Sequence, residues 1–310
     1  MNNPVIGVIN TVLPVLLMLF VGVFCRQRKV ISREGVNALK NVAVNICLPA
    51  VMLNAFATMH YSVNNVIITV MMFVICVLAW GLGRLLNGVM KTSKFLPFLT
   101  TGFEAGMLGY SLFALLYGPD RISDFACIDL GQVLFVFTLY KLLLGRETNE
   151  KADPGKLFSD MVKSPVIIAI AAGLFLGATG IYEALAPSGI SSVLDACTDF
   201  ISKPTAGIIL ISIGYDLVLD NIPWIRVIKT AAARAVIMVL LRLLSGFVIS
   251  ALSMGDDLLL ALNVMFILPP PYVLPVFADD EEQRNYVSSS LSVITLITVA
   301  GFIVLAVLKG

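Results

Sequence analysis

The sequence predicts an all-α membrane protein: ten transmembrane helices in two inverted five-helix repeats, with helices four and nine broken. Three observations carry this. First, 58% of the 310 residues are hydrophobic and only 13% charged, whereas soluble globular proteins carry about 25% charged residues; mean hydropathy is +0.94. Second, apolar blocks of roughly 18 to 25 residues recur along the whole chain, each enough helix to cross about 30 Å of hydrocarbon. Third, five such blocks precede a polar stretch near the middle, so the second half enters the bilayer from the opposite side, as in inverted-repeat proteins.

The expected spans are 5-25, 37-59, 63-88, 96-117, 124-145, 165-186, 190-218, 227-252, 257-278 and 285-308. Before span one, MNNPVIGVIN lacks the basic region of a cleaved signal, so the first helix is expected to be retained. Span two carries Pro49 in CLPAVML and a polar stripe, Asn37, Asn41 and Asn45, repeating every fourth residue on one face. Span four reads TTGFEAGMLGYSLFALLYG, with Gly102, Gly106 and Gly109 close together and Glu104 among them. Isolated glycines mark close helix packing, but this clustering also suits an unwound segment.

Span five holds Asp129 and Gln132. The polar stretch GRETNEKADPGKLFSDMVK, Gly145 to Lys163, then divides the chain into a first repeat at 1-150, a linker at 151-164 and a second repeat at 165-310. Span seven, like span two, has a proline second in its half, Pro204, preceded by Asp195, Asp199 and Lys203. In span eight, Arg234 is expected to snorkel to the near end, as is Arg84 in span three. Arg242 lies too deep for that and is expected to pair with an acidic neighbour. Span nine reads NVMFILPPPYVLPVF; Pro269, Pro270 and Pro271 remove three amides in a row, so no continuous helix passes through them. Tyr272 here corresponds to Tyr110 in span four. Two interrupted helices at matching places in two halves point to a transport site near the membrane midplane.

Loop charges set orientation. Arg26, Arg28, Lys29 and Arg33 follow span one, Lys91 and Lys94 span three, Arg146, Lys151, Lys156 and Lys163 span five, and Arg226 and Arg284 spans seven and nine. The other loops offer only Arg121, and the termini Lys309. The positive-inside rule then puts both termini outside a plasma (cell inner) membrane, crossed many times. Net charge is +1 with dispersed basic residues, which argues against nucleic-acid binding. The five cysteines show no paired spacing, and no metal-ligand cluster, catalytic triad or phosphate loop is present. Neither enzymatic activity nor a cofactor or metal is expected.

Across nearly the whole length the chain resembles the auxin efflux carrier family of membrane transporters. The segments that carry the resemblance are LPVLLMLFVGVFCRQRKVISREGVNALKNVAVNICLPAVMLNAF, GFEAGMLGYSLFALLYG, IDLGQVLFVFTL, SPVIIAIAAGLFLGATGI, and the proline-rich span followed by SSSLSVITLITV. Where the family reads like NTGFLGLP, this chain has EAGMLGYS, placing Glu104 at an asparagine position and Ser111 at a proline position. The resemblance implies a scaffold of spans one, two, six and seven, and a moving domain of the other six. It further implies that spans four and nine cross at their breaks, and that the substrate is a small organic anion, such as indole acetate in plants or malate or malonate in bacteria.

These readings define a candidate site. Asn45, Gly106, Gly109, Tyr110, Asn263, Pro270, Pro271 and Tyr272 are expected to bind substrate; Asp129, Gln132 and Arg242 support it. Glu104 is the coupling candidate, because an ionised side chain at a membrane-helix centre costs about 2.5 to 3.5 kcal/mol even on insertion scales. Its plainer role is to cap free amides. Coupling to protons or sodium and assembly as a homodimer are compatible with the sequence. Two other functions compete: a sodium-coupled symporter of the bile acid carrier type, and a membrane ligand sensor without turnover.

Overall fold

The structure, a computed structural model, describes residues 4–148, 154–218, 220–278 and 280–309. Every regular element among them is helical. Among the described residues, seven helices are long and apolar enough to span a bilayer: Ile6–Gln27, Arg33–Ala57, Val63–Met90, Pro119–Glu147, Ile190–Asp216, Trp224–Ala251 and Glu281–Lys309. An eighth span arises if Pro165–Ala178 and Ile181–Ser188, bent by 67°, count as one. The two remaining expected spans, 96-117 and 257-278, pass no such test because each is interrupted. The linker at 151-164 includes a helix, Pro154–Lys163, immediately before Pro165.

Local chemistry sets several boundaries. Helix Arg33–Ala57 begins four residues before the expected start because Ser32 caps it, its hydroxyl accepting from the Gly35 N–H at 3.0 Å. Within that helix Ala43–Cys47 forms a wide π turn, in which the Leu48 N–H reaches back to the Ala43 carbonyl. The turn lies just before Pro49, whose missing amide already interrupts the ordinary ladder.

Glycine lets several helix pairs approach unusually closely, and two of these pairs join the halves of the chain. The helix from Pro4 to Gln27 packs on Ile190–Asp216, where a Cβ on Gly22 would lie 2.2 Å from the Ile211 carbonyl oxygen and one on Gly214 2.1 Å from that of Leu19. Pro165–Ala178 packs on Arg33–Ala57, with Gly173 2.7 Å from the Leu53 carbonyl oxygen by the same measure. Small residues let membrane helices gain dispersion contact that larger side chains would block. Around these pairs lie the two broken segments, enclosed by Val63–Met90, Pro119–Glu147, Trp224–Ala251 and Glu281–Lys309. Cys25, Cys47, Cys76 and Cys127 are buried and Cys197 exposed, all as free thiols.

Candidate functional site

The first break follows one helical turn, Leu96–Leu99, and runs from Thr100 to Glu104. Helix resumes as a π turn, Ala105–Gly109, continuing through Tyr110–Tyr117. Gly102 has φ +67°, a conformation that side chains resist, and a Cβ there would lie 3.2 Å from the Pro271 ring. In the second break, helix Asp256–Ile267 ends at Leu268, whose ψ of 151° is extended. Pro269, Pro270 and Pro271 are buried, and a short turn, Leu274–Phe277, follows.

In hydrocarbon every backbone group freed by a break needs an internal partner, and here the breaks partner each other. The Glu104 N–H donates to the Pro269 carbonyl at 2.8 Å. Its carboxylate accepts from the Met107 N–H at 3.2 Å and the Tyr272 N–H at 2.6 Å, so one side chain holds an amide of each broken segment. The Met107 amide opens the resumed half Ala105–Tyr117, where the partial positive charge of a helix start favours an anion.

The carbonyl side of the breaks is held by Arg234. Its guanidinium donates to the carbonyls of Leu99 at 3.0 Å, Gly102 at 2.9 Å and Leu268 at 2.8 Å, and stands 5.7 Å from the centre of the Phe103 ring. Thr298 donates to the Ile267 carbonyl at 2.6 Å. Arg234 is therefore not a snorkelling residue but a buried one, 3% exposed, because carbonyls from two chain breaks offer its charge a sink. Sequence reasoning missed it. The available signal was the breaks themselves, which create carbonyls in need of a donor.

The other candidates fall into separate groups. Gly106 lies against Leu48 of the second span, and Gly109 is wedged between Leu268 and Phe125, each 2.7 Å from where its Cβ would be. Tyr110 is buried: its hydroxyl donates to Asp129 at 3.0 Å, while Gln132 donates to the other oxygen of that carboxylate at 2.9 Å. Arg242 has an amide partner rather than the acidic one expected, donating to the Asn263 side-chain oxygen at 2.9 and 2.7 Å. Asn45 is exposed, and Asp199 and Lys203 form no ion pair with each other or with another described residue.

A cavity of about 400 Å³ opens beside Met107 and Tyr272, on the side of the first loop. Arg26, Arg33, Lys40 and Asp216 line it; Arg33 bonds Asp216 at 2.6 Å, and Lys40 pairs with the same carboxylate. Arg26 donates to the carbonyls of Tyr215 and Leu217, at the end of a long helix where a cation is favoured. The Tyr272 hydroxyl, at the inner end, lies 2.9 Å from that of Thr295. A second cavity, about 430 Å³, opens at the opposite ends of the helices between Asn54, Asp120, Asp195, Thr198 and Asp199. The two cavities thus differ in charge, cationic beside the first loop and acidic at the far ends. The Lys40 and Asp216 pairing is invisible in sequence because 176 residues separate the partners.

A family model described as membrane transport protein matches residues 7–308. A comparison with curated proteins returns no match. The family match spans almost the entire chain, including both breaks and the residues that hold them. The chain belongs to the auxin efflux carrier-like family of membrane transport proteins.

Proposed function

We propose that the protein is a secondary active transporter of small organic anions, carboxylates above all, working by elevator-like alternating access with proton coupling at Glu104. The observation that carries this reading is the Glu104 carboxylate on amides of both breaks. Those donors suit a substrate carboxylate, and a resident ionised carboxylate would repel it. An anion takes the site when Glu104 is protonated, which ties substrate binding to a proton.

The packing supports two inverted repeats, at 1-150 and 165-310, joined by the linker 151-164. Span one packs on span seven and span six on span two; exchanging the halves turns one pair into the other. These four form the scaffold, and the broken spans four and nine cross within the domain that moves against it. Gly106, against Leu48, lies on the boundary between the two. With the basic loops cytoplasmic, the cationic cavity is the inner vestibule and would concentrate anions.

Counterflow in proteoliposomes tests the carrier reading. With unlabelled malate, malonate or another small carboxylate trapped inside, labelled substrate is expected to overshoot transiently, with or without sodium. Thermal stabilisation by a carboxylate without exchange would make the protein a sensor, and strict sodium dependence would make it a sodium symporter.

A further inference from the structure

A third cavity has a different character. It is a groove of about 340 Å³ between Trp224–Ala251, Asp256–Ile267 and Glu281–Lys309, walled by Met238, Phe266, Ile267, Ile294 and Leu305. It opens sideways, past Val239, Leu243 and Ile297, which are 59%, 65% and 50% exposed. In a membrane that opening faces acyl chains. Besides Arg234, which is committed to the breaks, one charged side chain lines it, Arg242.

Arg242 has no counter-ion among the described residues. Its Nε and Nη2 donate to the neutral Asn263 amide, Nη2 lies 3.5 Å from the Leu259 carbonyl, and no carboxylate pairs with it among the described residues. Nη1 makes no hydrogen bond to described residues and rests over Gly246, 2.3 Å from where a Cβ would stand. Glycine therefore makes room for the guanidinium and lets it point one turn toward the Ala251 end of the helix. Arg242 lies nine residues before Ala251, or about 13 Å at 1.5 Å per residue, and the long side chain shortens the remaining distance to the headgroups.

An unpaired guanidinium in hydrocarbon is costly, and its planar fork matches phosphate in a bidentate fashion. The bilayer itself supplies that phosphate, attached to the chains an apolar groove accepts. We propose that this groove is a lipid site, in which Arg242 binds the phosphate of a phospholipid from the leaflet at the Ala251 end and an acyl chain lies along Phe266, Ile267, Ile297 and Leu305. This assignment is independent of the transport mechanism.

The test uses the purified full-length chain in dodecyl maltoside, with native mass spectrometry and thermal unfolding as readouts. Four probes are compared: dioleoyl phosphatidylglycerol, dioleoylglycerol, oleate and inorganic phosphate. The phospholipid is expected to give a retained one-to-one adduct and a raised Tm, whereas dioleoylglycerol and inorganic phosphate do neither. Arg242→Gln should weaken phospholipid binding at least about tenfold, the equivalent of about 1.4 kcal/mol, and Arg242→Lys should recover part of it. Ala235→Phe, which fills the groove from its exposed side without touching Arg242 chemistry, should abolish the adduct even if Arg242→Gln folds poorly. Equal retention by a well-folded Arg242→Gln or Ala235→Phe would overturn the proposal. So would equal stabilisation by dioleoylglycerol or by phosphate alone, and oleate acting where the phospholipid does not would assign the groove to amphipathic carboxylates.

Discussion

Glu104 and Arg234 divide the two breaks between them, one holding amides and the other carbonyls. Removing Arg234 leaves the carbonyls of Leu99, Gly102 and Leu268 without a donor, at about 1 to 3 kcal/mol for each group left buried and unpaired. Arg234→Gln is therefore expected to lower stability by about 3 kcal/mol or more, read as a lower Tm in detergent. Arg234→Lys should recover little, because an ammonium lacks the planar fork that serves three acceptors on two segments. Wild-type stability in either variant would show that the carbonyls find other partners. At this scale the sequence was half legible. Glu104 announced itself as a carboxylate in an apolar span, but Arg234 and Arg84 look alike in sequence. Only the fold separates the first, buried against backbone, from the second, which pairs with Glu147 at a helix end.

Prolines and glycines punctuate the elements for different reasons. The triple proline was legible because no helix tolerates three missing amides; the hydrogen bonds of Glu104 to Pro269 and Tyr272 across the breaks were not. Replacing Pro269, Pro270 and Pro271 together by alanine should extend helix Asp256–Ile267 and draw the Pro269 carbonyl and Tyr272 amide away from Glu104. Membrane insertion should survive and counterflow should not; wild-type turnover in that variant would show that the break is dispensable. The glycines of span four differ among themselves. A Cβ on Gly109 meets Leu268 and Phe125 at 2.7 Å, so Gly109→Val should cost about 1 to 3 kcal/mol by overpacking. Gly106 faces only the end of the Leu48 side chain, at 3.0 Å, so Gly106→Ala should unfold at the wild-type temperature. A shared loss of Tm in both variants would contradict that distinction. The π turns at Ala43–Cys47 and Ala105–Gly109 were not legible, because each covers five residues, too short a stretch for a one-residue change of phase to be read from the apolar positions around it.

For the whole molecule, hydropathy revealed the class and gave ten expected spans, whereas among the described residues seven helices, or eight with the bent pair, are long enough to cross, because 96-117 and 257-278 are broken into halves too short to count alone. The scaffold pairings were hidden as well: Gly22 and Gly214 are scattered small residues until the fold sets them against facing backbone. Orientation rests on loop charge, and single cysteines test it in a background lacking the five native thiols. Ser188→Cys should react with a membrane-impermeant thiol reagent on intact cells, and Arg28→Cys only after permeabilisation; the reverse pattern would invert the topology.

The central claim, that the carboxylate on the two breaks couples a proton to an organic anion, is tested most directly by the pH profile of Glu104→Gln in proteoliposomes. The variant mimics the protonated form, so exchange should persist while uptake no longer responds to pH or to an imposed proton gradient. Asp280 cannot supply that response near neutral pH, because the Gln283 amide holds its carboxyl below the ordinary value. Its effect on stability appears only as pH falls into the acid range through that lowered value. A Glu104→Gln variant that retains the wild-type pH profile and full accumulation would contradict the account and leave Glu104 as a cap.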